Sequence, residues 1–291
     1  MSETGLDGVA TEDVAFAAVD GFPLAGTLFM PRGTPEHAVL INSGAAIPRR
    51  IYRGFAGHLA QQGCAVLTYD YRGIGGSRPR SLKGFAASMT DWAALDITGA
   101  VTWMRGRYGT MPLRYVGHSF GGQTLGLLAN NTEVSRALFI ASQAGYWRLM
   151  APGERWRVVT MLNGVGVPLT HALGYTPGWS GVGEDLPKGV FLQWVRWIMS
   201  PRYLFDDASL PGLANFANFK SPLRALCLSD DPWATRPAVE LLCAGYTGTA
   251  PELLSIAPKD IGVSAIGHLG FFRPAHGDTL WRSATEWLLE A

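Results

Sequence analysis

The sequence predicts an α/β fold, a mostly parallel eight-stranded sheet with helices on both faces, and three observations carry that expectation. Short apolar runs alternate with stretches of helical periodicity along most of the chain. Most of the runs are apolar at every position, as strands covered on both faces must be. Between them, 36 glycines and 18 prolines supply tight connections. With 291 residues, 47% of them hydrophobic and 16% charged, the chain can bury a large core.

The elements follow in order. EDVAFAAV and LAGTLF, between Glu12 and Leu28, flank Asp20-Gly21 and read as an antiparallel hairpin. HAVLIN is a strand, and YRGFAGHLAQQG a short helix closed by glycine. CAVLTYD, LRYVGHS and RALFIAS continue the strands, with DWAALDITGAVTWMRGRYG and GGQTLGLLANN as the helices between them. The alternation breaks from about Gln143 to Lys220, a tryptophan- and proline-rich insertion whose LPKGVFLQWVRWIMSPRYLF reads as a proline-started helix apolar on most sides. LRALCLSDD, the helix RPAVELLCAGY, the strand ELLSIAP and the helix DTLWRSATEWLLEA, with Asp278 as N-cap, complete the chain. Residues 1–142 and 221–291 thus form the core domain, and 143–220 the insertion.

Composition excludes several function classes. Twenty-four basic against 23 acidic side chains give no footprint for nucleic acid. No window reaches the roughly 18 uncharged apolar residues of a membrane span. The opening stretch lacks the basic and apolar regions of a signal peptide, so a cytoplasmic location is expected. Cys64, Cys227 and Cys243 form no CxxC pair and read as reduced, buried thiols. Neither an H-E-x-x-H pattern nor a Cys/His cluster calls for a metal, and no cofactor is expected.

Gly117-His118-Ser119-Phe120-Gly121 fits G-x-S-x-G, the strained strand-to-helix turn that lifts a serine hydroxyl clear of a sheet; YVGHS ends a strand and GGQTLGLLA opens a helix. Ser119 is the candidate nucleophile. Gly117, Gly122 and Thr124 also approach a phosphate-binding loop, but Gln123 stands where its lysine belongs, so nucleotide binding is rejected. A serine needs a base, and the base an orienting carboxylate. His118 is adjacent to Ser119, so its side chain should point away, and His37, His58 and His171 lie outside the expected chain order. His268, between the last strand and the closing helix, is the candidate base, with His276 as runner-up. After LRALCLS, Asp231 is favoured over Asp230 as the acid. The oxyanion hole falls to the backbone N–H of Phe120 and of either Gly44 or Ala45.

With GHSFGG as elbow, the YDYRGIGGS loop, Asp231 and GHLGFF around His268, the chain resembles the α/β-hydrolase superfamily along nearly its whole length. More narrowly, INSGAAIPRRIYRGFA, TYDYRGIGGSRP, GEDLPKGVFLQW and SPRYLFDD resemble bacterial, predicted α/β-hydrolases of the serine aminopeptidase-like branch. Asn42-Ser43-Gly44 departs from the His-Gly of many relatives. The resemblance implies the α/β-hydrolase fold, with residues 143–220, inserted after the sixth strand, as a helical cap over the serine. Trp147, Trp194 and Trp197, together with Trp156 and Trp179, fall in that cap and favour an apolar acyl substrate. Arg148, Arg155, Arg157 and Arg196 would either pair with a substrate carboxylate or keep the cap soluble.

The expected activity is hydrolysis of a carboxylic ester or related acyl bond of a mainly apolar small molecule, through an acyl-enzyme on Ser119. A serine elbow argues against the dehalogenase and epoxide hydrolase chemistries of the superfamily, which use aspartate there. Acyl transfer or thioester hydrolysis on the same triad is the alternative, and a non-catalytic ligand-binding role the third reading. Oligomeric state is not legible.

Overall fold

The hairpin comes first in the computed structural model, which describes residues 8–290. β1 (Ala10–Ala17) and β2 (Pro23–Met30) pair antiparallel around a turn in which the Ala18 amide donates to the Phe22 carbonyl. Gly21 takes φ +84° there, which is why glycine follows Asp20. The opening stretch Met1–Asp7 lies outside the described residues, and with it much of the expectation about a leader.

Six parallel strands follow: β3 (His37–Asn42), β4 (Cys64–Tyr69), β5 (Leu113–His118), β6 (Arg136–Ile140), β7 (Leu223–Leu228) and β8 (Glu252–Ile256). The eight strands form one sheet in the order β1-β2-β4-β3-β5-β6-β7-β8, with β1 and β2 antiparallel to their neighbours. Register levels the carboxyl ends: Asn42 pairs with Gly117, His118 with Ile140, and Ile140 with Leu226. β4, β5 and β6 are buried along their whole length, as continuous apolar runs require. β8 is the edge strand and is largely open to solvent.

The helices are α1 (Arg53–Gln61), α2 (89–108), α3 (Phe120–Gln123), α4 (152–173), α5 (Lys188–Met199), α6 (Arg236–Cys243) and α7 (277–289). Ser88 and Asp91 form a capping box at the start of α2. The next turn, Trp92–Ile97, widens to π-helical geometry and carries the buried Asp96. There the Arg72 guanidinium bridges Asp96 at 2.7 Å and Asp20 in the hairpin turn at 2.8 Å, tying β1–β2 to the sheet's helical layer. α3 is much shorter than the helix its sequence predicts. Gly121, Gly122 and Gly126 weaken it, and after Gln123 the Gly126 amide turns to the Tyr246 hydroxyl instead. Asp278 does not cap α7: that helix opens with a π turn, Gly277–Trp281, preceded by His276.

The chain between β6 and β7 contains α4, itself interrupted by a π turn at Thr160–Gly166, and α5, which starts after Pro187 and ends before Pro201. A two-residue bridge pairs Tyr175–Thr176 with Leu186–Pro187. The segment is fastened near the carboxyl ends of the strands. The Glu184 amide donates to the Ala46 carbonyl, Glu184 pairs with Arg50 at 3.1 Å, and Asp185 with Arg78 at 2.8 Å. At its far end Tyr203, held at φ +57°, donates its hydroxyl to Gln123 of α3. Among the described residues no helix is long and apolar enough to cross a membrane.

Candidate active site

Ser119 follows the last residue of β5 at φ +48°, ψ −115°, a conformation a side-chain-bearing residue adopts only under constraint. The constraint is packing. A Cβ on Gly117 would stand 2.4 Å from the Gly122 Cα, and one on Gly121 2.2 Å from the Asn42 carbonyl oxygen. Strand, turn and helix therefore approach too closely for anything but glycine on either side of the serine. The Ser119 carbonyl accepts from the Gly122 and Gln123 amides, which completes the turn.

After β7 the chain offers both acids, and they divide the work. Asp231, buried, accepts from His268 Nδ1 at 2.6 Å and from the Trp233 and Ala234 amides at 2.8 and 3.1 Å. Burial pushes its carboxyl up, but the His268 ring and those two amides outweigh it and leave Asp231 below the usual carboxylate range. Asp230 accepts from the Ile266 and Gly267 amides and so holds the loop that carries His268. With Nδ1 donating to Asp231, Nε2 of His268 is the nitrogen available as a base. The ring of His118, the residue before Ser119, lies 5.1 Å from that of His268. Among the described residues no hydrogen bond yet joins the Ser119 hydroxyl to His268; such contacts commonly tighten only with substrate bound. His276, the runner-up, is buried elsewhere and donates Nδ1–H to the Gly270 carbonyl.

A Cβ on Gly44 would stand 3.3 Å from that of Ser119, so the turn after β3 lies beside the elbow. The Gly44 amide, however, donates to the Tyr52 hydroxyl at 2.8 Å. The Phe120 amide opens α3, where a helix leaves its first N–H groups unpaired.

The tryptophans separate by environment. Trp197 is fully buried, packs on Tyr203 and donates Nε1–H to Asp207 at 2.7 Å, so it fixes the insertion rather than lining a site. Trp147 is half-buried beside Trp156. Trp194 stacks on Trp233 with centroids 5.9 Å apart, and Trp233 in turn lies 6.4 Å from the His268 ring. Trp233 belongs to no motif, although it is two residues from Asp231. Arg157 and Arg196 are engaged by Glu154 and Asp207, Arg155 donates to the Met150 carbonyl, and Arg148 lies over the Trp147 ring.

Residues 33–165 match the family model described as serine aminopeptidase, S33, a stretch that includes Ser119 and stops before Asp231 and His268. Two uncharacterized proteins of Mycobacterium tuberculosis strains are each 35% identical over 116 residues, so the match spans 38% of this chain and 38% of their length. Among solved structures, an esterase of Pyrococcus furiosus aligns over 100% of this chain and 94% of its own, with a TM-score of 0.65 and 15% identity. A hypothetical protein of Pseudomonas aeruginosa aligns over 99% of each chain (TM-score 0.64, 17% identity), and an esterase of Exiguobacterium antarcticum over 96% and 100% (0.60, 15%). The sheet order and the glycine-flanked elbow on β5 agree with these likenesses, and the chain has the α/β-hydrolase fold, with residues 33–165 similar to the serine aminopeptidase, S33, family.

Proposed function

We propose that the protein is a serine esterase acting on a carboxylic ester or related acyl bond of a mainly apolar small molecule. The observation that carries this reading is the 2.6 Å contact of His268 Nδ1 with buried Asp231, next to a serine on a strained elbow. In the proposed reaction the Ser119 hydroxyl attacks the acyl carbonyl while His268 Nε2 takes its proton. The Phe120 and Ala45 amides meet the oxyanion, and His268 returns the proton to the departing alcohol. Water, deprotonated by the same ring, then releases the acid and frees Ser119.

Residues 143–220 act in this reading as a cap. Support comes from the Glu184–Ala46 and Arg50–Glu184 contacts, which fasten the segment to the oxyanion loop, and from Trp194, which reaches Trp233 beside the base. The aromatic wall these indoles make suits an apolar acyl or alkoxy group.

The test is intact-mass analysis after treatment with a fluorophosphonate, on wild type, Ser119→Ala and His268→Ala. One adduct on the wild type, absent from both variants, is the expected result. An unlabelled wild type that also fails to turn over p-nitrophenyl esters of graded chain length would sink the proposal.

A further inference from the structure

Three hydrogen bonds run in series through the two rings behind the elbow. The Gly44 amide donates to the Tyr52 hydroxyl at 2.8 Å, Tyr52 stands 2.8 Å from His118 Nδ1, and His118 Nε2 stands 3.0 Å from the backbone carbonyl of His268. Chemistry fixes every direction. An amide only donates and a carbonyl only accepts, so Nε2 carries a proton; in the neutral ring that makes Nδ1 the acceptor, and Tyr52 donates its own hydrogen to it. Both side chains are fully buried, and Phe272 packs its ring 4.9 Å from that of His118 and 4.7 Å from that of Tyr52.

We propose that His118 is a positioning residue, whose two ring nitrogens tie the oxyanion loop at Gly44, through Tyr52, to the backbone of the base His268. The proposal rests on the esterase reading, since it assigns a role toward that base. The short turn Gly267–Gly270 is then held from two sides, by Asp230 on the Ile266 and Gly267 amides and by His118 on the His268 carbonyl. A neutral His118 suits the place: burial, then the nearby His268, push its pKa down to about 3, so the ring adds no second positive charge when His268 becomes imidazolium.

The test separates the two nitrogens. His118→Gln can keep a donor near the Nε2 position, whereas His118→Asn keeps only an acceptor near the Nδ1 position. With melting temperatures compared, His118→Asn is expected to lower kcat on p-nitrophenyl esters, and the rate of fluorophosphonate labelling, by about 100-fold at unchanged KM. His118→Gln is expected to restore both to within about threefold of wild type. Imidazole ¹⁵N NMR of the wild type, which needs no variant to fold, should show His118 as the Nε2–H tautomer throughout pH 5–8. An Nδ1–H tautomer, a titration in that range, or a labelled wild type with an equally reactive His118→Asn would overturn the positioning role alone. A wild type that is neither labelled nor active would overturn the esterase reading and the role with it, even where the NMR signature holds.

Discussion

The Asp230 carboxylate grips the backbone of Gly267, with both oxygens 3.0 Å from that amide, while its neighbour Asp231 grips the ring of His268. Adjacent acids thus serve the loop and the imidazole separately. Asp231→Asn preserves shape but removes the acceptor that selects the Nδ1–H tautomer, and kcat should fall by about 10⁴-fold. Asp230→Asn should reduce kcat only about tenfold, through a loosened loop. Steady-state hydrolysis of p-nitrophenyl butyrate compares them; a larger loss in Asp230→Asn would reverse the assignment.

Trp194 reaches the base only through Trp233, so truncating it should affect substrates by size. Trp194→Ala should raise KM about tenfold, or about 1.4 kcal/mol, for aryl or long-chain acyl esters while leaving acetate esters nearly unchanged. A uniform change across chain lengths would show that the indole does not contact the acyl group.

Arg72 is buried against Asp96 and also holds Asp20. Arg72→Met strands the Asp96 carboxylate and should lower stability by about 3–5 kcal/mol in urea unfolding. Burial pushes Asp96 up to about 7 even against the pull of the guanidinium. Without that pull it rises further, so above about pH 7 the folded variant keeps a proton that the folded wild type, like the unfolded chain, gives up. The deficit should therefore be level from pH 5 to about 6 and grow from about pH 7 to 8; a deficit constant across that upper range would contradict this.

His118 works in the opposite direction. Its ring titrates at about 3 when folded, because it is buried, and near 6.5 when unfolded. Between those values only the unfolded chain takes up the proton, so this residue makes stability climb as pH rises to about 6.5 and has no further effect above it. In His118→Gln the slope of unfolding free energy across that window should be smaller by about 1.4 kcal/mol per pH unit. Equal slopes in the two proteins would mean that the buried ring is protonated.

Strands were legible because β4, β5 and β6 bury both faces and so read as unbroken apolar runs. The order of serine, acid and base along the chain pointed to the ends of β5, β7 and β8, since parallel strands deliver their following loops to one edge of the sheet. The length of α3 was not legible: periodicity ran on through Gly126, and only the Tyr246 hydroxyl, 120 positions away, shows where its amide goes. Nor was the use of the Gly44 amide, because Tyr52 lies in a helical turn with no motif to mark it and meets His118 across 66 residues. Trp197 and Trp194 carry the same letter, yet only packing reveals that one is buried and the other half-open.

The burial of Cys64, Cys227 and Cys243 makes the molecule a convenient host for optical reporters. Desolvation pushes the three thiols up to about 12, 11 and 12, so at neutral pH they are protonated, enclosed and slow toward maleimides. A cysteine introduced at Trp179, which is 76% exposed on the segment between β6 and β7, would be the fast-reacting thiol of the folded protein. A dye attached there would follow movement of that segment against the sheet during turnover, without first stripping the native sulfurs from the core.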